Sequence, residues 1–168
     1  MEKENNFKST LFEYLRVIVC TVIVCVLFLH FVQISKVVGI SMEPTYHDGN
    51  VILVDKFFYK NKEPQHDDIV VAHYALADEH EQIIKRVVGI PGDHIEMKDN
   101  RLYRNDQLLD ESYILEPMEN NNDFSYDIPK GKVFVMGDNR NHSVDSRLIG
   151  YLDFEEDIVG RVFLRVFN

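Results

Sequence analysis

The sequence predicts a mainly β domain, rich in hairpins, behind a single amino-terminal membrane helix. Three observations predict it: one uncharged apolar run near the amino terminus, a series of short β-branched runs after it, and turn-forming residues between those runs. Of the 168 residues 45% are apolar and 11% aromatic, so the chain carries enough core-forming side chains to exclude a disordered protein.

The helix comes first. Between Arg16 and Lys36 stand 19 residues without a formal charge, 17–35. As a helix rising about 1.5 Å per residue they reach about 28 Å, close to the ~30 Å of a bilayer core. A cleavable secretory signal has a shorter apolar core and a small-residue cleavage site, whereas this run passes into Gln33, Ile34, Ser35 and Lys36. An uncleaved anchor is expected. The alternative, a buried helix of a soluble domain, fits less well, because such a β-branched run is a poor soluble helix and is tolerated in lipid. The chain then divides into a tail (1–16), an anchor (17–35) and an outer domain (36–168). Lys3, Lys8 and Arg16 supply positive charge on the short flank, so the tail is expected in the cytoplasm and the domain outside the cell membrane.

Charge separates the same parts. Residues 1–35 sum to zero, and the whole net charge of −10 lies in the 133 residues of the outer domain. Such an acidic surface repels phosphate backbones, which excludes nucleic acid as a partner and leaves membrane lipid as the partner of the anchor. Cys20 and Cys25 both fall in the apolar run and, five residues apart on a helix, face different directions, so neither a disulfide nor a metal site follows. The outer domain has no thiol, which suits an oxidising compartment, and it is long enough to be stable through its core.

Within that domain Val51-Ile52-Leu53-Val54, Ile69-Val70-Val71, the run 83–90, Val133-Phe134-Val135 and the run 158–167 read as strands. Turns are signalled at Asp48-Gly49-Asn50, Pro91-Gly92-Asp93, Asp99-Asn100, Asn105-Asp106 and Pro129-Lys130-Gly131. No repeat or second domain boundary appears, and Glu119-Asn120-Asn121-Asn122-Asp123 reads as the tip of a polar loop.

Several signatures fail. Gly39-Ile40-Ser41-Met42-Glu43 lacks the second glycine of a nucleophile elbow, His80-Glu81 lacks the second histidine of a zinc protease, and Asp138-Asn139-Arg140 puts arginine where a calcium loop needs an acid or amide. No cofactor and no metal is expected.

Three clusters put reactive side chains together. The first is Val38 to Thr45, around Ser41, whose hydroxyl could equally hydrogen-bond within a turn that Pro44 helps to fix. The second is the strand through Lys85 and Arg86, whose alternation sets one cation on each of two apolar faces. Burial lowers a lysine pKa, so Lys85 could be a free amine; Arg86 cannot deprotonate and needs an acidic partner. On an edge strand both would instead snorkel into water. The third is Gly137 to Arg147, a turn-rich loop that offers Asp138 and Asp145 as partners for Arg86 and Arg147.

Ser41-Met42-Glu43-Pro44-Thr45, the run from Lys85 to Asp93 and the run from Gly137 to Arg147, in that order behind one anchor, resemble the boxes of bacterial type I signal peptidases. The resemblance spans nearly the whole chain. It implies a signal-peptidase-like β fold, a serine endopeptidase and, as substrates, preproteins that bear signal peptides with small side chains one and three residues before the scissile bond. It implies Ser41 as nucleophile and Lys85 as general base, Ser143 as a residue that helps orient the lysine, and Asp138, Asp145 and Arg147, with Arg86, as supports. Where some members have a serine that helps hold the oxyanion, this chain has Gly39, so the oxyanion donor is expected to be the Ser41 main-chain N–H. A self-cleaving repressor would need a DNA-binding module where this chain has its anchor. A non-catalytic anchored binding protein would be signalled by loss of Ser41 or Lys85, and both are present. A serine/histidine enzyme using His142 has nothing in the sequence to orient the imidazole.

Overall fold

A computed structural model describes residues 2–76, 79–119 and 122–167. Helix α1 (Glu2–Phe31) opens the chain. Its apolar part, Thr10–Phe31, has a mean hydropathy of 2.3 and is not buried against the rest of the molecule. The helix stops four residues short of the expected anchor end at Ser35, because Val32–Lys36 forms strand β1. Val32-Gln33-Ile34-Ser35 alternates apolar and polar side chains with the period of a strand, and its backbone finds partners in β2 (Val51–Asp55), with Ile34 opposite Leu53. The Lys56 N–H donates to the Phe31 carbonyl at 3.0 Å, which fastens the end of the helix to the sheet.

Beyond β2 come β3 (Ile69–Leu76), β4 (Glu79–Gly89), β5 (His94–Lys98), β6 (Arg101–Arg104), β7 (Gln107–Leu108), β8 (Phe124–Asp127) and β9 (Lys132–Met136). A 3-10 turn (Arg140–His142), the short helix α2 (Ser146–Ile149), β10 (Leu152–Asp153) and β11 (Ile158–Phe167) complete the chain. Two antiparallel sheets result, one of seven strands in the order β1-β2-β11-β3-β4-β9-β10 and one of four in the order β7-β6-β5-β8. The fold is therefore mainly antiparallel β with an amino-terminal apolar helix, as the β-branched runs predict.

The turn residues act as expected. Asp99-Asn100 and Asn105-Asp106 both take positive φ, between 51° and 64°, the backbone of two-residue hairpin turns that join β5 to β6 and β6 to β7. Asn120 and Asn121, in the expected polar loop tip, lie outside the described residues.

Apolar side chains gather in three places. Val70, Val87, Val135 and Ile158 centre one cluster on the large sheet. Ile95, Leu102, Phe134 and Met136 join the small sheet to β9. Val37, Met42, Ile52 and Val54 form the third, beneath the segment that carries Ser41. The sheet order puts β4 between β3 and β9, so Lys85 and Arg86 sit on an interior strand and cannot both reach water, and the two residues are 3% and 8% exposed.

Strand β11 pairs with both β2 and β3, with a bulge between Ile158 and Gly160 on the β3 side. A Cβ on Gly160 would run into the Asp55 carbonyl and the Lys56 backbone. Gly160→Ala is expected to destabilise the domain by more than about 2 kcal/mol, since backbone rather than a flexible side chain must move. Thermal unfolding in detergent, followed by circular dichroism, checks this; an unchanged midpoint would show that β2 and β11 are not packed this closely.

Candidate active site

The chain leaves β1 through Val37, whose N–H donates to the Asn50 carbonyl at 2.8 Å and whose carbonyl accepts from Gly49 at 2.9 Å. It then turns at Gly39, where φ is +86° and the N–H is taken by Asp48 Oδ1 at 2.8 Å. Met42, 1% exposed, plugs the following turn into the third apolar cluster. Ser41 stands just before that plug. Its carbonyl accepts from the Asn139 N–H at 3.0 Å, and Asn139 Nδ2 donates to the Ile40 carbonyl at 3.2 Å. Two bonds thus stitch the serine segment to the loop after β9.

Lys85 arrives from β4, opposite Val70. Its Nζ lies 2.8 Å from Ser41 Oγ and donates to the Ile84 carbonyl at 2.9 Å. Removal from water pushes the Lys85 ammonium down to about 8; Asp145 and Asp138 oppose that shift and Arg147 assists it. When the amine is neutral, the same 2.8 Å line lets the serine O–H donate to the lysine nitrogen.

Arg86, on the same strand, finds its carboxylate in Asp138, with Nε to Oδ1 at 2.8 Å and Nη2 to Oδ2 at 2.7 Å. Thr45 donates its hydroxyl to the same carboxylate, and the Tyr113 ring covers the guanidinium at 4.0 Å. Asp138 is wholly buried, so it needs each of these donors. Burial works against the Arg86 charge, and Asp138, together with Tyr113 and Asp67, more than offsets it.

Asp145 is the second wholly buried carboxylate. It accepts from Gly137 N at 3.0 Å and from Arg147 Nε and Nη2 at 2.8 and 2.9 Å, and it caps α2 through Arg147 N. Arg147 also donates to the Arg140 carbonyl at 2.6 Å. Among the described residues the buried hydroxyl of Ser143 has no hydrogen-bond partner, Lys85 included; it shares with the Ser41 carbonyl the space in which a Cβ on Gly137 would sit. The Ser41 N–H makes no hydrogen bond among the described residues, as an oxyanion donor requires, whereas the Gly39 N–H is committed to Asp48.

All the residues singled out by sequence are therefore brought together: Ser41 beside Lys85, Arg86 on Asp138, Arg147 on Asp145, with Ser143 at the edge. Thr45, Tyr113 and Asn139 were not singled out, nor was Arg140, a fully buried guanidinium paired with Glu111. Arg140, Asn139 and Thr45 fall inside the quoted boxes, where adjacency was a signal; Glu111 and Tyr113 come from a stretch with no motif.

His142 is exposed and makes no hydrogen bond to Ser41. A serine, histidine and aspartate do meet elsewhere, on the small sheet: Ser125 Oγ is 3.2 Å from His94 Nε2, and His94 Nδ1 is 2.7 Å from Asp127 Oδ1. That Asp127 side chain is 91% exposed, so water screens the pair and nothing desolvates the serine.

A cleft of about 470 Å³ opens at Ser41. Ser35, Val38, Ile83, Ile84 and Lys85 are among the side chains that line it. No group of acidic, histidine or cysteine side chains among the described residues could hold a metal ion.

Arg86→Ala leaves the Asp138 carboxylate buried without its main partner, a change of roughly 3–5 kcal/mol. A lower unfolding temperature together with lost activity is expected. Unchanged melting with lost activity would assign Arg86 to substrate binding instead.

The chain matches the family model "Signal peptidase, peptidase S26" over residues 11–167. It is 37% identical over 156 residues to signal peptidase I of Bacillus licheniformis, covering 87% of this chain and 83% of that protein. It is 34% identical over 168 residues to signal peptidase I U of Bacillus subtilis, covering 95% and 88%. The crystal structure of a signal peptidase I from Enterococcus faecalis superposes with a TM-score of 0.51 at 30% identity, over 61% of this chain and 98% of that one. With a family model over most of its length and relatives matched nearly end to end, the chain belongs to the signal peptidases, peptidase family S26.

Proposed function

We propose that this signal peptidase is a membrane-anchored serine endopeptidase that removes signal peptides from exported preproteins with a Ser41/Lys85 dyad. The observation that carries this is the 2.8 Å approach of Lys85 Nζ to Ser41 Oγ in a cleft that both residues line, with the ammonium pushed down to about 8.

In this reading the neutral amine takes the proton of Ser41, and the alkoxide attacks the peptide carbonyl lying in the cleft. The Ser41 N–H stabilises the oxyanion. The Lys85 ammonium so formed protonates the departing amine, and water activated by the regenerated amine resolves the acyl-enzyme. Arg86, Asp138, Asp145 and Arg147 are positioning residues, and Ser143 bounds the segment that holds the nucleophile.

Helix α1 supports the anchor. Its exposed side chains form an apolar surface far larger than a soluble protein tolerates. The basic flank favours a cytoplasmic tail and an outer catalytic domain. Ser41 follows the end of β1 by five residues, so the nucleophile stays near the membrane surface, where a preprotein still inserted through its apolar segment presents its cleavage site. Anchoring both raises their effective concentration.

The test is cleavage of a peptide with small residues one and three positions before the scissile bond. Wild-type protein should cut it and Ser41→Ala should not. Below pH 8 kcat/KM should rise about tenfold per pH unit, then level as Lys85 deprotonates. Arg147→Gln should move the midpoint upward, because Asp145 then acts on Lys85 unopposed; an unmoved midpoint would remove Arg147 from the tuning of the base. Activity retained in Lys85→Arg with His142→Ala inactive would replace the dyad with a serine/histidine pair.

The same shift predicts a stability change. The folded pKa near 8 lies below the unfolded 10.5, so between these values the unfolded chain binds more protons and stability rises with pH. The cost of burying Lys85 is complete below pH 8, on the order of 3 kcal/mol, and vanishes above 10.5. Lys85→Met should be inactive, at least as stable as wild type at pH 7, and without this rise. A Lys85→Met protein that melts well below wild type at pH 7 would show that the lysine is folded as a paired cation.

A further inference from the structure

Catalysis in the reading above leans on one backbone group, the Ser41 N–H, and the segment that carries it has no strand to hold it. Residues 38–41 lie outside every ladder, and the side chains of Val38 and Ile40 are exposed. In such a turn a single peptide plane can rotate while its Cα atoms barely move, which is the difference between type I and type II turns. A rotation of that kind would swing the Ser41 N–H away from a reacting carbonyl while the serine side chain kept its place beside Lys85.

The fold fixes that plane from behind. A trans peptide points its N–H and its C=O in opposite directions, so the Ser41 N–H is aimed by whatever holds the Ile40 carbonyl. Two donors hold it, the Glu43 N–H at 3.1 Å and Asn139 Nδ2 at 3.2 Å, and together they occupy both lone pairs of the oxygen. The Glu43 bond closes the turn from within and moves with it. The Asn139 bond comes from the loop after β9, and the Asn139 N–H takes the next carbonyl, that of Ser41, at 3.0 Å. One residue thus grips the peptide on each side of Ser41.

Asn139 is itself firmly placed. It is buried and stands between Asp138 and Arg140, each of them buried and paired with an opposite charge, Asp138 with Arg86 and Arg140 with Glu111. Its side-chain oxygen, Oδ1, is buried and has no hydrogen-bond partner among the described residues. A buried amide with an unpaired oxygen costs stability, so packing alone does not account for asparagine here; what the side chain supplies is the Nδ2 donor.

We propose that Asn139 is the positioning residue of the oxyanion donor: by holding the Ile40 carbonyl it keeps the Ser41 N–H in the direction in which the tetrahedral intermediate places its negative oxygen. The proposal rests on the reading that Ser41 is the nucleophile and its N–H the oxyanion donor. A hydrogen bond at the carbonyl end of an amide also polarises the N–H at the other end, so the same contact strengthens the donor that it aims. The gain falls on the tetrahedral state, where the oxygen carries charge, and much less on the bound substrate.

Asn139→Leu tests this. Leucine keeps the branch at Cγ, lacks the donor and removes the unpaired Oδ1, while the Ile40 carbonyl retains the Glu43 N–H. The full-length protein in detergent is assayed on the peptide with small residues one and three positions before the scissile bond, with Ser41→Ala beside it. Asn139→Leu should melt no lower than wild type. It should lower kcat about 10- to 100-fold, less than the roughly 100- to 1,000-fold loss of an oxyanion donor outright, with KM within about twofold. A peptide aldehyde takes Ser41 Oγ onto its carbonyl carbon, the serine proton passing to Lys85, and so places an oxyanion in the site; its inhibition should weaken by the same factor as kcat. Binding of the uncleaved peptide should be equal in Ser41→Ala and Ser41→Ala/Asn139→Leu. Asn139→Ala, which also lacks the donor but not for reasons of bulk, should show the same split between kcat and KM. Unchanged kcat and aldehyde inhibition in both variants overturn the proposal and leave the dyad standing. Equal weakening of aldehyde and uncleaved peptide in both variants would show a structural role only and overturn it too. Cleavage retained in Ser41→Ala overturns the nucleophile, and the proposal with it.

Discussion

The structure depends on keeping one lysine out of water beside two carboxylates without letting them recharge it. Lys85 lies on an interior strand, and desolvation lowers its pKa. Asp138 and Asp145 are near enough to raise it again. Each of these acids is held by its own arginine through two hydrogen bonds, Asp138 by Arg86 and Asp145 by Arg147. A carboxylate and guanidinium locked together act at a distance as a near-neutral pair, so desolvation wins at Lys85.

These pairs also carry the backbone. Asp145 accepts the Gly137 N–H and caps α2, and Asp138 takes the Thr45 hydroxyl. Asn139, between Asp138 and Arg140, returns two bonds to Ile40 and Ser41. The loop after β9 therefore sets both the electrostatics around Lys85 and the position of Ser41. Substitutions in it act on pH dependence and geometry at once, and their effects will not add.

Much of this was legible before any coordinates. The β-branched runs and Asn/Asp/Gly/Pro turns read as hairpins because their physics is local. Ser41 and Lys85 stood out by motif, and the need of Arg86 for an acid followed from a cation that cannot deprotonate on an apolar strand. Which acid it takes did not follow, since Asp138 and Asp145 are equivalent until β9 and α2 are placed. Tyr113 and Glu111 were invisible, because stacking on Arg86 and pairing with Arg140 leave no periodicity or spacing. Strand β1 was hidden for a different reason: a count of uncharged residues runs through Val32 to Ser35, and only their alternation marks the change from helix to strand. The resemblance has Ser143 help orient the lysine, and among the described residues its hydroxyl makes no hydrogen bond.

The site is built from parts far apart in the chain: Ser41 and Lys85 are separated by 44 positions, Arg86 and Asp138 by 52. In an unfolded chain Lys85 is an ordinary hydrated ammonium and Ser41 an ordinary alcohol, and neither is a base or a nucleophile at neutral pH. Pairing β4 with β3 and β9 takes Lys85 out of water, and the 137–147 loop supplies Asn139 to the Ser41 segment and Asp138 to Arg86. The lowered pKa of Lys85 is therefore a product of the same burial that makes the core, and in the proposed dyad the strength of the base is tied to the integrity of the sheet. A local opening that admits water at β4 recharges the amine before the domain unfolds, so activity is lost at a smaller perturbation than structure is.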